Sequence, residues 1–74
     1  MLRMNGFDEC IMGVAHCAGE DDRIVYDLDL VLKKLIADGL SPKEAWEHYE
    51  YNMLGAIQPG TPVFLDRTAV LELS

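Results

Sequence analysis

The sequence predicts a small α+β domain with the element order α-β-α-α-β. Three observations lead there. Two apolar stripes at helical spacing are parted by a two-residue stop, short runs of strand formers flank that pair, and 74 residues suffice for one domain only. Half of the residues are apolar, which is enough for a packed core and too many for a disordered chain. A chain of this length buries only about 60% of its unfolded surface, so a disulfide, a metal or a partner subunit often supplements its core. Residues 1–74 therefore read as a single domain with an ordered core over residues 6–66, and self-association is open to it.

The elements follow in order. Asn5 and Gly6 open a turn, and Asp8 stands as an N-cap before an apolar run. Cys10, Ile11, Val14 and Cys17 or Ala18 recur at helical spacing, predicting a first helix that Gly19 closes in the left-handed conformation. Gly13 costs that helix about 1 kcal/mol relative to alanine, and it suits close approach of a neighbouring backbone. An acidic turn follows, and residues 24–26 are rich in strand formers. Asp27 caps the next helix, over residues 28–38, whose Leu28, Val31, Leu32, Leu35 and Ile36 form one stripe. Asp29 in its first turn, with Lys33 and Lys34 further along, complements the helix dipole, and Gly39 ends it.

Ser41 then caps a second helix, with Pro42 at its first position and Glu44 closing a capping box. That helix is expected over residues 42–54, with Ala45, Trp46, Tyr49, Asn52, Met53 and Ala56 on its inner face. Glu44, Glu47, His48, Glu50 and Tyr51 fall mostly on the outer face, and Gly55 with the Gln58-Pro59-Gly60 run ends it. Only Gly39 and Leu40 part the two helices, which makes them a tight αα-hairpin or a corner. Residues 63–65 form a second strand that pairs with residues 24–26 in a two-stranded sheet. The closing TAVLELS either extends that strand, frays or docks on a partner.

Charge narrows the function. Thirteen acidic residues stand against six basic ones, a formal net charge of −7. Nucleic-acid binding draws its affinity from Lys and Arg neutralising phosphates, and the nearest approach to a basic cluster, Lys33, Lys34 and Lys43, is followed by Glu44, Glu47 and Glu50. A helix-turn-helix would place the second helix in the major groove, where these glutamates repel the backbone. Direct nucleic-acid binding is disfavoured, and the acidity points either to a solvated surface or to a face that meets a basic protein. No stretch has the 18 or so apolar residues of a membrane span, and no signal peptide is visible, so a cytoplasmic setting is expected.

Few constellations suggest chemistry. Cys10, His16 and Cys17 are the candidate metal ligands, yet their spacing fits neither a zinc finger nor a ribbon, and small buried cysteines are the commoner outcome. A seven-residue separation on one helix puts the two thiols about 10 Å apart, beyond disulfide reach. Asp27 and Asp29 lack the glycine and terminal glutamate of a calcium loop. There is no G-x-S-x-G, no P-loop and no base near a nucleophile, so neither an enzyme nor a cofactor is expected. The protein-binding candidates are Glu44, Glu47, Glu50, Trp46, Tyr49 and Tyr51 on the second helix, with Glu20, Asp21 and Asp22 in the acidic turn. Aromatic side chains among charges are the composition of a binding hot spot, while Trp46 and Tyr49 equally suit a core.

"FDECIMGV", "VYD", the capped helix with "EA" and an asparagine, "GA" and "TPVFLD" together resemble a group of small proteins from tailed phages and prophages. The resemblance covers residues 6–66. It implies a shared fold, a phage source and the cytoplasm of an infected or lysogenic bacterium, and it brings no activity, cofactor or catalytic residue. Small acidic phage proteins as a class bind host machinery, including CRISPR effectors, so the leading expectation is a non-enzymatic accessory protein that inhibits a host defence or nucleic-acid-handling complex. A homo-oligomeric phage assembly protein using Trp46, Tyr49 and the apolar tail is the alternative. A small metal or thiol protein is the third reading.

Overall fold

The computed structural model describes residues 2–54 and 60–67. A 3-10 turn at Asp8–Cys10 leads into strand β1 (Ile11–Ala15), and strand β2 (Arg23–Asp27) follows. Helices α1 (Leu28–Ala37) and α2 (Pro42–His48) come next, α2 continues as a π-helical segment (Tyr49–Leu54), and strand β3 (Val63–Leu65) closes the order. The α+β class stands. The order and the sheet differ from expectation, because the first helix is absent and its residues supply a third strand.

The reason lies in residues 11–15. Ile11 and Val14 are β-branched, and Gly13 weakens a helix, so the helical spacing of apolar residues competes with a run equally suited to a strand. An antiparallel partner decides the competition: Ile11 faces Tyr26, Gly13 faces Val25, Val14 faces Ile24 and Ala15 faces Arg23. The register shifts between Ile11 and Gly13, a bulge that leaves Met12 without a partner on β2. Gly19, at φ +76°, serves the β1–β2 connection instead of a helix end. No described residue lies within 4 Å of a Cβ built on Gly13, so no close approach over its Cα calls for a glycine there. Asp8 caps nothing through its side chain; its carboxylate pairs with Arg3 at 2.7 Å.

β3 lies where the sequence places it and joins β2 in parallel, with Val25 beside Val63, Tyr26 beside Phe64 and Asp27 beside Leu65. Parallel neighbours need a crossover, and the helix pair is that crossover. The resulting sheet is mixed, in the order β1-β2-β3, so among the described residues β1 and β3 are its edges. Paired residues share a face. Ile24 and Tyr26 turn inward to meet Val31 and Leu35 of α1 and Ala45 of α2, and Cys10 completes the buried cluster. Phe64, Ile11, Phe7 and Met53 pack around it. Tyr26, fully buried, accepts the Met4 backbone N–H at its phenolic oxygen at 2.8 Å, which satisfies its polar end.

Helix punctuation follows the sequence closely. The Asp27 carboxylate accepts the N–H of Asp29 at 3.0 Å and of Leu30 at 3.4 Å. At the other end of α1, Gly39 (φ +114°) donates to the Ile36 carbonyl at 3.0 Å, and Leu40 donates to that of Leu35 at 3.3 Å. This pair of bonds is a Schellman closure. The expected end of the second helix beyond residue 54, with Ala56, and the TAVLELS tail lie outside the described residues.

Asp27 is 3% exposed and also pairs with Arg67 at 2.8 Å, so it links β2, α1 and the chain beyond β3. Asp27→Ala removes a cap and an ion pair together. A loss of about 2–3 kcal/mol in urea unfolding is expected, against a smaller loss for Arg67→Ala, whose side chain is largely solvated.

Candidate interaction surface

The α2 arm is built from its cap outward. Ser41 Oγ accepts the Glu44 N–H at 3.2 Å, and Glu44 Oε1 accepts the Ser41 N–H at 3.0 Å, with Pro42 at the first helical position. This box fixes where the helix starts and therefore which residues face inward. Ala45 and Tyr49 are buried, and Met53 is half-buried against the core. Glu47, Glu50 and Tyr51 are exposed, Tyr51 at 79%. Trp46, expected on the inner face, stands 43% exposed, and Asn52 is also at the surface, donating its amide N–H to His48 Nδ1 at 3.3 Å.

Trp46 is nonetheless held. Its ring meets Tyr49 edge-on at 5.7 Å, Tyr49 meets Phe64 edge-on at 5.0 Å, and Phe64 stacks on Tyr26 at 5.9 Å. This aromatic ladder runs from the buried centre of the sheet to the surface of the arm, with geometries that suit the ring quadrupoles. Of the three aromatic candidates, Trp46 and Tyr51 are available to a partner and Tyr49 belongs to the core. Burial, aided by the negative charges of Asp66 and Glu50, pushes the Tyr49 phenol above its ordinary range.

The ion pairs distribute charge unevenly. Arg3 pairs with Asp8, Arg23 with Glu20, Lys33 with Asp29, Lys34 with Glu9 and Arg67 with Asp27. Five of the six cations are thus neutralised within the chain. Lys43, Asp21, Glu47 and Glu50 form no ion pair with a described residue. The acidic turn is a separate element from the arm. There, Asp22 meets His16 Nδ1 at 3.1 Å, Glu20 lies 3.8 Å from Arg23, and no hydrogen bond or ion pair among the described residues joins this turn to α2.

The metal candidates separate. Cys10 is buried at the end of the turn that leads into β1, and burial pushes its thiol above the ordinary range. His16 is exposed just past β1, and Cys17 is half-buried with its Sγ 4.0 Å from the Ala15 carbonyl. Among the described residues no three His, Cys, Asp or Glu side chains form a group able to hold a metal. No helix among them is long and apolar enough to cross a membrane. The sequence reading missed the exposed Met12 and Val14 on β1 and the Asp27–Arg67 pair. A five-residue apolar run between two turn signals carries the strand meaning as readily as the helical one.

Comparison with protein-family models, curated proteins and solved structures finds nothing that this chain matches.

The capping box has a pH signature. Hydrogen bonds from the Ser41 backbone and side chain hold the Glu44 carboxyl below its ordinary value of 4.5. The lowered folded value means that this stabilisation is complete above the unfolded glutamate pKa and is lost as pH falls through the folded one. In a side-chain carboxyl NMR titration Glu44 is expected to titrate below 4.5, and Ser41→Ala moves it back up. The far-UV helicity difference between wild type and Ser41→Ala is expected to narrow at acid pH, because protonation of Glu44 takes the stabilisation from the wild type.

Proposed function

We propose that this chain is a non-enzymatic binding module whose α2 arm meets a basic protein surface. One observation carries the reading: the chain neutralises five of its six cations internally, and Glu47 and Glu50 form no ion pair with a described residue and stand beside an exposed but anchored tryptophan. Unpaired carboxylates on a solvated helix keep their field for an incoming cation and steer it by charge complementarity. Trp46, locked by the ladder, gives up little conformational freedom on binding, and tryptophan is among the residues that dominate interface energetics. Tyr51 adds a face over which Lys or Arg side chains bind by cation–π attraction.

The resemblance to small proteins of tailed phages, together with the acidity, supports a finer statement. The partner is a host defence or nucleic-acid-handling complex, whose phosphate-binding surface supplies the cations. An acidic helix in that position competes with nucleic acid for the same Lys and Arg residues.

Immobilised protein incubated with bacterial lysate tests the arm directly. A partner captured at about 50 mM salt should be released by about 300 mM, with an affinity loss on the order of tenfold or more. Glu47→Lys with Glu50→Lys abolishes capture, and Trp46→Ala weakens it while the far-UV spectrum is unchanged. Capture that ignores both salt and charge reversal refutes the reading.

A further inference from the structure

The edge of β1 that pairs with no described residue offers a second surface. An exposed edge strand offers unpaired backbone N–H and C=O groups to another chain, and proteins normally guard it with Lys, Pro or an inward charge. β1 has only its bulge. From Cys10 to Gly19 no residue is acidic and none is Lys or Arg, in a chain whose net charge is −7. Within this stretch Met12 is 45% exposed and Val14 47%, on either side of Gly13, where a Cβ would find open space.

We propose that a second copy of this chain docks antiparallel along β1, with the two-fold axis at Gly13, joining two three-stranded sheets into one. The charge pattern chooses both the partner and the direction. Two acidic copies repel everywhere except along an uncharged stretch, and this stretch is bounded by Asp8 and Glu9 at one end and Glu20, Asp21 and Asp22 at the other. An antiparallel register about Gly13 sets Glu9 opposite the partner's Cys17 and Asp8 opposite the partner's Ala18, so no acid faces an acid. A parallel register stacks Glu9 on its own copy. The same register sets Met12 opposite the partner's Val14, taking exposed apolar side chains out of water from both copies. A small core supplemented by a partner subunit is the common solution at this chain length.

The surface is independent of the α2 arm, and salt separates the two. Screening weakens the attraction of the arm for a basic partner, whereas it relieves repulsion between two acidic copies. Sedimentation velocity from about 1 to 300 µM should show a dimer whose dissociation constant falls several-fold between about 50 and 500 mM salt. Val14→Lys, at a half-exposed position, raises that constant by tenfold or more with an unchanged far-UV spectrum. Gly13→Cys in a Cys17→Ser background forms a disulfide-linked dimer on mild oxidation, since residues at the axis face each other at bonding distance. A monomer at every concentration and both salts overturns the proposal. So does a dimer that survives Val14→Lys and is lost on Trp46→Glu.

Discussion

The Asp27 carboxylate is the constraint on which the rest of this fold depends. It belongs to the last residue of β2, it caps the first turn of α1, and it holds Arg67 just past β3. A carboxylate nearly excluded from water is expensive unless its oxygens are satisfied. Here two backbone N–H groups and a guanidinium do so, and these partners come from two different parts of the chain. The direction in which α1 leaves the sheet and the place where β3 ends are therefore coupled at one point. That coupling lets a three-residue strand hold a parallel register at all. Its own ladder is short, and the helix pair must leave and return correctly for the pairing to form.

From that corner the packing propagates through aromatic rings. Tyr26 sits at the buried end, Phe64 of β3 stacks on it, and Tyr49 bridges to Trp46 on the arm. The strand that Asp27 helps to position is thus also the floor under the arm. Surface and core form one continuous structure here: the residue best suited to anchor a partner is fixed by the residues that stabilise the fold. The π-helical segment after His48 begins at Tyr49, the ring that joins Phe64 to Trp46, and it still carries Met53 against the core.

The charges divide in a similar way. Pairs such as Lys34–Glu9 and Arg3–Asp8 fasten the N-terminal part of the chain to itself or to α1, and they consume most of the positive charge. What remains is acidic on α2 and neutral along β1. An acidic arm and an uncharged edge are chemically distinct surfaces, and they lie on different elements of the one small domain.

The sequence by itself determined the local punctuation. Asp27, Gly39, Ser41, Pro42 and Glu44 each act through their own side chain or backbone freedom on atoms a few residues away, so their roles are legible without knowing the fold. The α1 stripe, apart from Ile36, which stands exposed, and the strand at residues 63–65 were legible for a related reason, since each has one periodicity and clear boundaries. The arm's acidic residues were legible as well, because charge at a helix surface follows from helical phase. Only the tertiary structure decided the state of residues 11–15, whose helical spacing and strand-forming composition are close in free energy until β2 offers a ladder. It also decided that Trp46 stands at the surface and Tyr49 does not, because the phase of two adjacent inner-face positions depends on where Phe64 arrives. Cys10 and Cys17 likewise went to opposite ends of a strand instead of one helical face. Local interactions are written in sequence neighbours; pairing across the sheet is settled by residues far away in the chain.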